Sequence, residues 1–234
     1  ILTPAWTWHE HKHEGTEPVF WMDGLDVGLV KSLAASYFEQ FKEESYPALA
    51  PEEYAVEQYK GGAYKKLNEK IEPGYPSPVY GYKLDRVKYL LDRMTEDDND
   101  PYEAYAIEYI NPSTGGSADG RIGTVMQKLV PGQHTKAHRH VHSAIYHVFE
   151  GQGYTVIDGQ KFEWEKGDFF ILPPWIYHEH VNTGEEDAYL FSYNDKPVME
   201  KLDLEFGNAY EENGGHQIIT STFKAEANEE YRYF

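Results

Sequence analysis

Cysteine is absent from this chain of 234 residues. That excludes disulfides, thiolate metal sites and thiol nucleophiles. Basic residues are scarce as well: 21 Lys and Arg stand against 40 Asp and Glu, for a net charge of −19 at pH 7. Nucleic acid is therefore a poor partner, because binding it rests on cations that neutralise phosphates. An anionic membrane surface is disfavoured on the same ground. No apolar run approaches the roughly 18 residues a membrane helix needs, and no basic-then-apolar segment opens the sequence. The expectation is a soluble cytoplasmic protein with neither a nucleic-acid nor a membrane partner. Its length suits one large domain or two smaller ones.

What is present is an echo. ILTPAWTWHEH at residues 1–11 returns as FILPPWIYHEH at 170–180. Pro4 and Pro173, Trp6 and Trp175, His9 and His178, Glu10 and Glu179, His11 and His180, and Gly15 and Gly184 all match at an offset of 169 residues (178 − 9). Such an echo suggests two copies of one unit. The second copy has a long run-up and the first has none, so the chain is expected to begin inside its first domain.

Residues 1–24 read as the closing strands and turns of that incomplete first domain. Residues 25–44 carry apolar positions at helical spacing and predict an amphipathic helix. Residues 46–82, rich in Pro, Gly, Tyr and charge, read as a long irregular connection, and a second short helix is predicted over 83–94, ahead of an acidic stop at Pro101. Together, residues 25–101 make a linker. From 102 to 206 the pattern is short strands with Gly, Pro and Asp turns, which indicates an all-β sandwich or barrel. Residues 207–234 read as an irregular tail that wraps a neighbour or frays.

Eleven histidines are present. His138, His140 and His142 alternate, so a strand would place them on one face. His178 follows on another strand after a PPW turn. Three neutral imidazoles suit Zn, Cu, Fe or Ni and leave positions open. Taken alone, His-x-His is equally a polar strand face. His134, His142, His147 and His216 have no spacing argument and read as structural or exposed. Arg121 and Arg139 are possible carboxylate partners, with Arg139 pointing outward by alternation.

Gly132 followed by His138, Arg139, His140 and Gly151, then Gly167 followed by Pro173, His178 and Asn182, resembles the paired motifs of the cupin superfamily. The resemblance implies a mainly β double-stranded β-helix, or jelly-roll barrel, with His138, His140 and His178 as metal ligands. It also shows a departure. Ala144 stands where the motif usually has Glu, and Glu150 reads as a strand-end charge. A site of three His without a carboxylate would keep the ion's charge and favour an anionic bidentate substrate.

PAWTWHEH with EPVFWMDGLD, and the stretch from YINPSTGG through HRHVHSAIYHVFEG and PPWIYHEHVN to LFSYNDKPV, is similar to the gentisate 1,2-dioxygenase family, which includes salicylate and 1-hydroxy-2-naphthoate dioxygenases. The resemblance implies a bicupin, here with its first barrel N-terminally incomplete, joined by a helical linker and assembled as a homo-tetramer. It implies Fe(II) and O2 opening the ring of a small hydroxylated aromatic carboxylate. By family assignment the catalytic iron belongs to the first barrel. His9 then matches its third ligand, His11 and Asp23 the groups handling the phenolic proton, and Trp21 the substrate pocket. Two plainer readings stand beside these. His11 and His180 can be polar barrel-mouth residues, with Asp23 a cap of the following helix. The chain as a whole can be a non-catalytic metal-binding module serving binding or oligomerisation.

Overall fold

A computed structural model describes residues 1–45, 47, 51, 54, 57 and 77–224. The α-helices whose bounds lie within the described residues are α1 (Val27–Ser32), α2 (Leu84–Leu91) and α3 (Lys196–Lys201). The strands are β1 (Tyr105–Glu108), β2 (Gly123–Leu129), β3 (His138–His140), β4 (Ala144–Glu150), β5 (Gln152–Ile157) and β6 (Gln160–Glu165). They continue with β7 (Phe169–Leu172), β8 (His178–Asn182), β9 (Ala188–Asn194), β10 (Gly207–Ala209) and β11 (Ser221–Thr222). Among the described residues no helix is long and apolar enough to cross a membrane.

The strands form two sheets, ordered β1-β2-β9-β4-β7 and β10-β3-β8-β5-β6-β11. Every pairing is antiparallel except β11 on β6. Strand alternation aims one face of each sheet at the other. In β4, Ala144, Tyr146 and Val148 are buried while Ile145 and His147 are less so. Leu129, Val148, Trp164, Leu172 and Leu190 close the core between the sheets. Burying each of the leucines contributes about 1.5–3 kcal/mol. The β5–β6 hairpin turns through Asp158 (φ 49°) and Gly159 (φ 76°), the left-handed pair that a two-residue hairpin requires. Gly153 is dictated by packing, since a Cβ there would lie 2.0 Å from the Val181 carbonyl.

The linker helix α2 covers the outside of the five-stranded sheet. Val87 and Leu91 pack with Tyr105, Met126 and Tyr189, and Lys88 pairs with Glu150 at 2.6 Å. Glu150 is thus a strand-end charge tied to the linker.

Three expectations change. Residues 1–24 form no strand, although Leu2 N–H bonds the Tyr80 carbonyl at 2.7 Å. A strand exists only by virtue of a partner, and the described residues bring none alongside. The helix expected over 25–44 is confined to Val27–Ser32 and ends at Leu33, with Ala34 in left-handed conformation (φ 52°). Its N-cap is Asp26, not Asp23. Within the expected tail, residues 207–224 are tied to the barrel. β10 pairs with β3 and β11 with β6, so its exposed edges extend the sheet. Most of the expected irregular connection over 46–82 lies outside the described residues.

Candidate metal centre

β3 and β8 lie side by side, with His138 directly opposite His178. His140 shares the face of His138 because the two are separated by one residue on a strand. One ring nitrogen from each of His138, His140 and His178 falls within 4.8 Å of the others. The ring centroids are 4.3 Å apart for His138 and His178, and 4.8 Å for His140 and His178.

The other ring nitrogens are held. His140 Nδ1–H donates to the His142 carbonyl at 2.7 Å. His178 Nδ1–H donates to the Ile176 carbonyl at 3.1 Å. His138 Nε2 lies 3.1 Å from Glu103 Oε1. What remains is His138 Nδ1 and His178 Nε2, both buried with no hydrogen-bond partner. Buried polar atoms are normally satisfied. Two orphaned imidazole nitrogens beside a third free ring nitrogen are the signature of a cation site, and the donor set fits a borderline divalent metal. Burial also favours the neutral form of two of the three rings. It pulls His178 well below the ordinary imidazole range, and with the nearby His142 it holds His140 at about 4.

The cluster itself is three imidazoles without a carboxylate, as Ala144 in place of the motif's Glu implies, but a carboxylate stands behind one of them. Glu103, just ahead of β1, hydrogen-bonds His138 and also accepts from the Gln127 amide. Burial works against its charge, but the His138 contact and the surrounding histidines prevail and hold the carboxyl at about 2. A carboxylate behind a ligating imidazole fixes the ring and raises its basicity. No motif announces Glu103; its place depends on how the five-stranded sheet, edged by β1, packs against the sheet that carries β3.

His142 does not join the cluster. β3 ends at His140, and His142 stacks flat on His140 at 3.6 Å with its Nδ1 2.7 Å from Glu205. His180 is fully buried behind the cluster, 5.1 Å from the Tyr146 ring, with Nδ1 2.9 Å from the Thr155 hydroxyl. It is no barrel-mouth residue. A cavity of about 260 Å³ reaches His140, lined also by Glu103, Tyr146, Ser192 and Lys196. Burial drives the Tyr146 phenol far above its usual range, so it stays a hydrogen-bond donor.

His9, His11, Trp21 and Asp23 are all exposed. His9 and His11 lie 5.4 Å apart, and His11 sits edge-on to Trp21 at 4.2 Å. None belongs to a three-ligand cluster among the described residues. Arg139 bonds Asn208 and covers Trp175 and Tyr177, while Arg121 pairs with Asp26 at 3.0 Å. Arg139 is directed away from the three-His cluster, as its alternation required.

Residues 125–193 match the cupin domain family. The chain is 36% identical over 225 residues to a 5-aminosalicylate 1,2-dioxygenase of a Comamonas species, covering 95% of this chain and 59% of that protein. It is 32% identical over 203 residues to gentisate 1,2-dioxygenase 1 of Aquipseudomonas alcaligenes, covering 86% and 57%. The crystal structure of a salicylate 1,2-dioxygenase from Pseudaminobacter salicylatoxidans superposes with a TM-score of 0.69 at 25% identity, over 78% of this chain and 53% of that one. The chain therefore spans somewhat more than half the length of the relatives it matches. Sequence, barrel and histidine geometry agree, and the chain belongs to the gentisate 1,2-dioxygenase family of cupins.

Proposed function

We propose that this chain is part of a bicupin ring-cleaving dioxygenase that inserts both atoms of O2 into a hydroxylated aromatic carboxylate and breaks one ring C–C bond. The observation that carries the reading is the convergence of three imidazoles, two with buried unpartnered nitrogens, inside a cupin barrel of this ancestry. When bound, ferrous iron supplies the redox chemistry that joins O2 to the ring. The chain's own residues do the rest. In the second barrel His138, His140 and His178 would hold an ion, and the backbone acceptors at His142 and Ile176 fix two of the rings. Tyr146 and Ser192 present hydrogen-bonding groups to the cavity of that barrel. The reading includes a homo-tetramer, for which exposed Phe169 and Ile171 on β7 offer apolar surface.

We assign ring opening to the first copy, with His9 as an iron ligand, Trp21 against the aromatic ring, and His11 and Asp23 moving the phenolic proton. The echo at 169 residues supports this. So does a shared backbone feature: Trp6 and Trp175, equivalent in the echo, both take the left-handed conformation, at φ 62° and φ 61°. In the second barrel Glu103 and Glu108 line the cavity that an anionic substrate would enter. The two carboxylates outnumber the single Lys196 there, and that balance favours a metal-binding but non-catalytic role for the second barrel.

Oxygen uptake by the Fe(II)-loaded protein, offered gentisate or salicylate, tests the reading. Turnover lost in His9→Ala and kept in His178→Ala places catalysis in the first copy, and the reverse pattern places it in the second. No uptake with either substrate from iron-replete protein sinks the dioxygenase reading for both.

A further inference from the structure

A second cluster lies on the other side of the same strand. Side chains alternate along β8, so Glu179 points away from His178 and His180, out through the six-stranded sheet. There it meets His134, from the β2–β3 connection, and His216, from the segment between β10 and β11. His134 Nε2 lies 3.3 Å from Glu179 Oε2, and His216 Nδ1 lies 2.9 Å from the same oxygen. The two rings are 4.1 Å apart, and all three ligand atoms fall within 4.8 Å of one another. Ligands that share an ion at about 2.0–2.2 Å sit roughly 3.0–3.5 Å from each other; the His134 separation of 3.3 Å lies in that range and the His216 separation of 2.9 Å just below it.

The supporting contacts are already in place. Gln217 N–H donates to Glu179 Oε1 at 3.0 Å, which orients the carboxylate and leaves Oε2 for the shared point. Gln217 Nε2 anchors to the Val156 carbonyl at 3.0 Å, and the Gly215 carbonyl accepts from Ala137 N–H at 2.8 Å. The carboxylate is 1% exposed, yet among the described residues no Lys or Arg forms a salt bridge with it. Burying a carboxylate without a full positive charge is costly, and a divalent cation removes that cost. His134 and His216 remain 38% and 32% exposed, so an ion can enter from solvent.

We propose that His134, Glu179 and His216 form a second divalent-cation site, independent of the three-His cluster, that staples the 212–217 segment to the outer face of the barrel. Two imidazoles and one carboxylate suit a borderline transition ion, and zinc serves as the probe. The proposal does not depend on the dioxygenase reading, because it concerns a different face and reads metal content alone.

The test counts zinc bound per chain after dialysis of metal-stripped protein against micromolar zinc, with calorimetric titration of the same samples. The expected result is two ions for the parent protein, one for His216→Ala, one for His178→Ala and none for the double variant. His134→Ala, a second partly exposed position, repeats the loss without disturbing the buried carboxylate. Zinc should also slow proteolysis within 212–217 in the parent and in His178→Ala, but not in His216→Ala. One ion in the parent, lost in His178→Ala and kept in His216→Ala, overturns the proposal. So does unchanged stoichiometry in both His134→Ala and His216→Ala.

Discussion

Residues 4–11 and 173–180 carry nearly the same words and meet different fates. In both, a tryptophan two residues after a proline takes the left-handed conformation, and three residues later comes His-Glu-His. In the second copy, β8 runs between β3 and β5, and His178 and His180 are 1% and 0% exposed. In the first copy no strand forms, and His9 and His11 stay open to solvent, with Trp21 as the nearest ring to His11. Trp175 N–H is bonded to the His140 carbonyl at 2.8 Å, and its ring is covered by Arg139 and Phe206. Trp6 has Tyr37 beside it and is 79% exposed. A turn can be written into eight residues. A metal site cannot, since its ligands must be brought together by neighbouring strands.

The largest test of this contrast compares His178→Ala with His9→Ala by Ni(II) titration in a His216→Ala background, where one cluster remains. Losing a ligand should exceed the roughly 10–100-fold effect of altering an outer partner, so His178→Ala should lower affinity more than 100-fold. His9→Ala, assigned to a separate site, should leave the affinity of the His138–His140–His178 cluster within twofold. Equal losses would mean that the two copies share one site and would break the comparison. Glu103→Gln comes next. It keeps a hydrogen-bonding group against His138 and removes the charge, and should weaken Ni(II) binding by about 10–100-fold. An unchanged affinity would show that the carboxylate does nothing for His138.

Acid should drain stability from the buried copy in a defined window. Burial lowers His140, His142 and His180 to about 4 each, assisted at His140 by its contact with His142 and at His142 by Lys196. The unfolded chain takes up protons at these groups as pH falls through about 6.5, while the folded chain refuses them until about 4. This contribution is therefore intact above 6.5 and falls steadily between 6.5 and 4, by roughly 3 kcal/mol per histidine as an upper figure. Glu103 adds a separate loss between 4.5 and about 2, since protonation there weakens its hydrogen bond with His138. Urea midpoints of metal-free protein at pH 7, 5.5 and 4.5 check the order. A curve that stays flat until pH 4.5 would assign acid sensitivity to carboxylates alone.

The smallest effect belongs to the tryptophans. Replacing either with Gly relieves about 1–2 kcal/mol of left-handed strain. At Trp175 the loss of the Arg139 and Phe206 contacts, about 0.5–1.5 kcal/mol each, should offset or exceed that gain. Trp6→Gly should leave the urea midpoint unchanged or slightly higher, and a lower midpoint for Trp6→Gly than for Trp175→Gly would contradict the difference in packing.

Much of the second barrel was legible beforehand. Alternation in AIYHVFEG and FFIL, the Asp-Gly turn and the paired His blocks all depend on residues a few positions apart. The three-His cluster followed because His-x-His on a strand shares a face, and the motif spacing pointed to His178. His142 failed the same argument because β3 stops at His140, and strand ends are set by pairing with β8 and β10. Glu103 was missed because it lies 35 residues before its partner His138 and joins it only through the packing of the two sheets. His216 was set aside as exposed or structural because nothing near it in sequence hinted at Glu179, 37 residues away.

The sequence alone determined the local geometry: which residues turn, which alternate, and which imidazoles can face one another. These rest on backbone sterics and strand periodicity, which act over two to five residues. Tertiary structure decided which copy of the echo is buried, which carboxylate stands behind His138, and that a second histidine–carboxylate cluster exists on the opposite face of β8. Those outcomes depend on strand order and on which segments cover each sheet. Burial then settles the chemistry, because it sets the cost of every unpaired charge and leaves imidazole nitrogens free to take a cation.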